Sequence, residues 1–201
     1  MPETVIKLGG YLSPSLANGP GRRAVLWLQG CPRSCLGCCN PEFIPFDAPC
    51  EEITPSALAA RIAADAAADD IRGISLSGGE PLHPSHRRGL IELLDLLPSN
   101  LDIFVFSGYT PLDLFEPNFA DILPRLDMVI SGPYAEELRV ESGLLASSNQ
   151  RIVRNSDRMD DVSDEEIRNA ERKIEVHVIE GQIRITGLVD PEKVLGMMRG
   201  C

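Results

Sequence analysis

No apolar run in these 201 residues approaches the roughly 20 needed to cross a bilayer. The opening stretch, MPETVIKLGG, lacks the basic-then-apolar layout of a secretory signal. Both absences place the chain in the cytoplasm, where thiols stay reduced and clustered cysteines bind metal or react more often than they pair. Positive charge is also short, with 19 Lys and Arg against 30 Asp and Glu and a net charge of −11. An acidic chain without a basic stripe is a poor binder of nucleic-acid phosphates. Internal repeats, low-complexity tracts and an evident linker are missing too. The length suits one domain with a real core, here taken as residues 1–201.

What is present is alternation. Ala24–Gln29, Ile71–Ser77, Leu101–Phe106 and Leu126–Ile130 read as short buried strands. Between them, Ser56–Ala68 reads as a helix with Thr54 as N-cap and Pro55 at its first position. Pro84–Leu97 reads as a second helix, with Leu90, Leu93, Leu94 and Leu97 on one face, and Pro111–Leu123 as a broken one. Strand–helix alternation predicts parallel βαβ units. Near the end, Lys173–Val178 and Gln182–Thr186 alternate apolar and polar residues around Glu180-Gly181, a hairpin pattern, and Asp190-Pro191 caps a last short helix. The acidic run Asp157–Glu166 reads as an exposed loop entering a helix. A full eight-fold barrel takes about 250 residues. The expectation is therefore an α/β fold: a partial, open (β/α) barrel of about six mostly parallel strands with a C-terminal β-hairpin.

Four unusual loops each follow a strand: GCPRSCLGCCN (30–40), SGGEPL (77–82), SGYTP (107–111) and SGPY (131–134). Loops after parallel strands share one sheet edge, so these segments should converge on a site. Cys31, Cys35 and Cys38 form C-x3-C-x2-C, and a short loop can wrap three such thiolates around one metal centre. Zinc normally takes four protein ligands, often as two pairs, and there is no second pair here. An iron–sulfur cluster with one open iron, a zinc site and incidental thiols all remain open on spacing alone. Cys39 would point away from the shared centre, and Cys50 and Cys201 have no partner at ligating spacing. Gly78 and Gly79 would let backbone approach a ligand unobstructed, and Glu80 adds a carboxylate suited to an ammonium group.

CPRSCLGC followed by SGGEPL resembles the radical S-adenosylmethionine (radical SAM) superfamily. The match narrows to the activating enzymes of anaerobic ribonucleotide reductase and similar small, single-cluster proteins. It extends through NGPGRRAVLWLQGCP, CNPEF, FSGYT, SGPYAEEL, SSNQRIV and IRITGL. The resemblance implies that Cys31, Cys35 and Cys38 bind three irons of a [4Fe-4S] cluster whose fourth iron chelates SAM. Gly78-Gly79-Glu80 would contact the methionyl ammonium, and Ser107, Ser131 and Asn149 are candidate SAM contacts. It implies an oxidoreductase that cleaves SAM to a 5′-deoxyadenosyl radical and takes hydrogen from a glycine of a partner enzyme. A peptide or small metabolite is the alternative target, and a zinc-binding adaptor the alternative of another class. Two positions depart from the family pattern: Cys39 stands where relatives often carry an aromatic residue or His, and Ser131 where they often carry Asp. The electron donor would be a flavodoxin or ferredoxin, steered by a local basic face of Arg22, Arg23 and Arg33. His83, His86, His177 and Trp27 read as structural, and Arg151 has a somewhat better functional case.

Overall fold

The computed structural model describes residues 3–179 and 182–188. In chain order these form β1 (Ile6–Ser15), β2 (Arg23–Leu28), β3 (Glu51–Ile53), α1 (Pro55–Asp69), β4 (Gly73–Gly78) and α2 (Pro84–Leu96). Then come β5 (Asp102–Ser107), α3 (Pro111–Leu114), β6 (Met128–Ser131), β7 (Arg151–Arg154), α4 (Asp164–Asn169), β8 (Glu175–Ile179) and β9 (Gln182–Thr186). The main sheet runs β3-β1-β2-β4-β5-β6-β7 and stays open. Its centre, β2-β4-β5-β6, is parallel, as the alternating elements predict. The flanking pairs β1–β2, β1–β3 and β6–β7 are antiparallel. The open α/β fold with a terminal hairpin is therefore observed, and the sheet has seven strands rather than about six.

Strand periodicity divides the sheet into two faces. Leu26, Leu28, Ile74, Leu76, Ile103 and Val105 pack with Leu58 and Ile62 of α1 and Leu90 and Leu93 of α2. Each such fully buried side chain contributes roughly 1.5–3 kcal/mol relative to exposure, so this layer anchors the βα units. Helix α1 starts where its local signals put it, since the Thr54 hydroxyl accepts from the Ala57 amide and Pro55 is the first residue. The opposite face carries Val25, Trp27, Ser75, Ser77, Phe104 and Phe106, and its upper part opens into a cavity.

Far from the cysteine loop, at the start of β2, Arg23 is fully buried. Its guanidinium is paired with Asp102 and donates to the Ser75 hydroxyl (2.9 Å) and the Ile74 carbonyl (2.7 Å). Arg72 also donates to Asp102 (2.5 Å) and forks onto Asp161 (2.6 and 2.7 Å). The expected docking face of Arg22, Arg23 and Arg33 is corrected by this placement. Arg23 has no surface, Arg22 binds Asp69 beside it, and Arg33 lies beyond the other end of β2.

The β8–β9 hairpin forms a separate two-stranded sheet, tied down by the Glu175 carboxylate, which accepts from Ser15 Oγ (2.6 Å) and the Leu16 amide (2.7 Å). Val176 pairs with Ile185 and Val178 with Ile183, so one face is apolar and exposed. Ile183 and Ile185 also border the cavity. His177 sits on the other face near Glu175 (3.8 Å). The expected turn Glu180-Gly181, the cap Asp190-Pro191 and Cys201 lie outside the described residues. Among the described residues no helix is long and apolar enough to cross a membrane.

Candidate active site

The ends of β2, β4, β5 and β6 meet at one cavity of about 760 Å³, within the range of ligand sites. Cys31, Cys35 and Cys38 line it together with Gly78, Gly79 and Glu80. Ser107, Gly108, Gly132 and Tyr134 come from the two later loops, so the four segments do converge.

Backbone hydrogen bonds fasten the cysteine loop to the glycine loop. The Gly79 amide donates to the Leu28 carbonyl (2.8 Å) and the Glu80 amide to that of Gly30 (3.0 Å). Gly30 and Cys31 donate in turn to the Phe43 and Ile44 carbonyls, both at 2.9 Å. The chain crosses itself too closely here for side chains. A Cβ on Gly79 would stand 2.2 Å from the Gly30 oxygen, and Gly78 has φ +98°, which favours glycine. The two glycines thus join the strand ends and leave backbone facing the cavity.

Glu80 is 1% exposed, and its carboxylate turns into the protein. It accepts from Ser107 Oγ (2.8 Å), the Gly108 amide (2.7 Å) and the Leu82 amide (3.1 Å), with Arg33 Nε at 4.0 Å. Burial pushes its pKa up, and those donors pull against the rise. Glu80 is the knot between the ends of β4 and β5, a role that a tally of ammonium contacts would miss. Ser107 is its partner. Ser131 is fully buried and donates to the Tyr109 carbonyl (2.6 Å), and the Asn149 amide donates to the Pro133 carbonyl (2.7 Å). Neither Ser131 nor Asn149 borders the cavity, whereas Gln150, their neighbour in sequence and space, does. Arg151 is exposed and donates to the carbonyls of residues 148–150, closing its own turn.

Within the loop, Cys31, Cys35 and Cys38 are half-buried free thiols and Cys39 is exposed. Partial burial pushes the Cys31 and Cys38 thiols up, so a metal centre must displace their protons. The Arg33 amide already donates to Cys31 Sγ (3.4 Å). Among the described residues no three His, Cys, Asp or Glu side chains gather around a single ion. Thiolates of a four-iron cluster stand farther apart than those of one ion, and three soft donors on one short loop fit that group. On the far side of the loop, a Cβ on Gly37 would meet the Glu136 carboxylate at 2.0 Å, so the SGPYAEEL segment packs directly on the turn between Cys35 and Cys38. Sequence reasoning gave Tyr134 and Glu136 no individual role; their hydrogen bond to each other closes that packing. His86 is buried beneath the loop and its pKa is pushed down to about 4, chiefly by burial, with a backbone bond at Gly30 opposing.

A family model described as a 4Fe-4S single cluster domain matches residues 17–153. An anaerobic ribonucleoside-triphosphate reductase-activating protein of Vibrio cholerae serotype O1 is 31% identical over 151 residues, which cover 72% of this chain and 95% of that protein. Proteins of the same name from Enterobacteria phage T4 and Escherichia coli strain K12 are 29% and 28% identical, over 70% and 71% of this chain and 88% and 94% of their own. The matched model and these relatives favour the cluster over the zinc alternative. The chain belongs to the 4Fe-4S single-cluster domain family, and the radical SAM resemblance carried by its motifs holds.

Proposed function

We propose that this chain is a radical SAM activase that installs a glycyl radical in an anaerobic ribonucleotide reductase. Support comes chiefly from one observation: three loop cysteines and the Gly78-Gly79-Glu80 segment share a single cavity. When bound, a [4Fe-4S] cluster and SAM supply one-electron cleavage of the sulfonium and a 5′-deoxyadenosyl radical that takes hydrogen from a glycine Cα. Cys31, Cys35 and Cys38 would hold three irons. Gly78 and Gly79 would offer backbone atoms to the methionyl end, with Glu80 fixing the loop from inside. Trp27 and Phe43, stacked with ring centroids 6.3 Å apart, form an apolar wall that limits water. The open sheet and the hairpin border leave a mouth through which a protein loop could pass.

In this reading residues 1–201 act as one domain in the cytoplasm, and a flavodoxin or ferredoxin supplies the electron. The test is anaerobic reconstitution followed by reduction with dithionite and SAM. About four irons per chain, 5′-deoxyadenosine, and a glycyl-radical EPR signal on the reductase are expected. Cys35→Ala should abolish all three. Stoichiometric zinc with no cluster would overturn the enzyme reading. SAM cleavage without a radical on the reductase would turn the assignment toward a peptide or metabolite substrate.

A further inference from the structure

Arg33 lies inside the Cys31–Cys35 turn, yet its side chain leaves the loop and crosses to the end of β5. Its Cζ sits over the Tyr109 ring, 5.0 Å from the centroid. The stem passes so close to Gly108 that a Cβ there would be 2.7 Å from Arg33 Cδ and Nε. Nε is buried without a hydrogen-bond partner, 4.0 Å from the buried Glu80 carboxylate. Ring stacking, the carboxylate and the glycine gap all restrain the guanidinium, as few exposed arginines are restrained. The backbone of the same residue donates to Cys31 Sγ (3.4 Å). One residue thus brings a fixed cation to the cavity that Cys31, Cys35 and Cys38 line, and an N–H···S bond to the first cysteine.

We propose that Arg33 is a positioning residue that holds the Cys31–Cys35 turn against the end of β5 and raises the reduction potential of the cluster. The inference rests on the reading that Cys31, Cys35 and Cys38 hold a [4Fe-4S] cluster. Reduction adds one electron and therefore one negative charge. A nearby fixed cation lowers the free energy of that charge, and hydrogen bonds to ligating sulfur act in the same direction. Arg33 takes no part in electron or proton transfer. For a half-buried guanidinium the effect is on the order of tenfold in the reduced-to-oxidised ratio.

The experiment is an anaerobic redox titration of the reconstituted full chain, without SAM or partner, read by EPR and by iron and sulfide content. Arg33→Gln should keep the cluster but lower the reduced-to-oxidised ratio at fixed poise about tenfold, about 59 mV for one electron. Arg33→Lys should recover part of that shift. Tyr109→Leu, which keeps the charge but removes its seat, should shift the potential in the same direction, and Tyr109→Phe should not. If Arg33→Gln fails to hold iron, the two Tyr109 variants carry the comparison. Equal potentials across all loaded variants overturn the proposal. Failure of the unsubstituted chain to take up iron would instead sink the cluster reading.

Discussion

Three donors converge on the Glu80 carboxylate, and two of them lie 27 and 28 residues further along the chain. That separation explains what could be read from the local pattern and what could not. C-x3-C-x2-C is visible as a candidate metal-binding loop within eight residues, while the inward turn of Glu80 depends on where β5 ends. Glu80→Ala should leave the Ser107 hydroxyl and the Gly108 and Leu82 amides without their acceptor, destabilising the fold by roughly 3 kcal/mol or more in urea unfolding. Cys39 is exposed and lines the same cavity as the other three loop thiols, but it falls outside the C-x3-C-x2-C spacing. Cys39→Ser should therefore retain the iron content that Cys31→Ser, Cys35→Ser and Cys38→Ser lose. His86 supplies a pH signature. Its folded pKa of about 4 lies below the ordinary 6.5, through burial first and then the nearby His83 and Lys7. The unfolded chain binds the proton more readily between those values, so stability falls as pH drops from about 6.5 towards 4. Relative to His86→Gln, the native protein should lose up to roughly 3 kcal/mol across that window in denaturant titrations.

At the level of elements, helix α1 and the parallel core strands were legible because their signals are local: Thr54-Pro55 starts the helix, and short apolar runs mark buried strands. Strand β1 was not foreseen. Gly9-Gly10 and Pro14 interrupt its alternation, and its pairing with β2 shifts register twice, between Leu8 and Gly10 and between Leu12 and Ser15. Strand β7 is only four residues, Arg151–Arg154, and gains its order from antiparallel pairing with β6. The joint between β2 and β4 is the element-scale feature on which the site depends. At Gly79 the atoms that a Cβ would strike belong to the Gly30 and Phe43 backbone, which cannot swing aside like a flexible side chain. Gly79→Ala should cost about 2–3 kcal/mol and pull Gly30, and with it Cys31, out of register. The expected readout is a lowered urea midpoint together with poor cluster retention at a temperature where the variant is still folded.

Across the whole molecule, the two ends of the parallel strands do different work. One gathers the cysteines, the paired glycines and the cavity. The other buries Arg23 against Asp102, with Arg72 and Asp161 extending the ion pairs outward. Burying a charge is costly, and removing its partner leaves that cost uncompensated, by about 3–5 kcal/mol. Asp102→Asn should therefore lower the unfolding midpoint strongly. Because Asp102 starts β5 and Ser107 ends it, the change lies a strand's length from the cavity. Below its own unfolding temperature, the Asp102→Asn protein should bind the same amount of iron as the native chain and reach the same cluster potential. Loss of cluster from a folded Asp102→Asn variant would show that the far end of the sheet transmits strain to the site, and that the division of labour between the two ends is false.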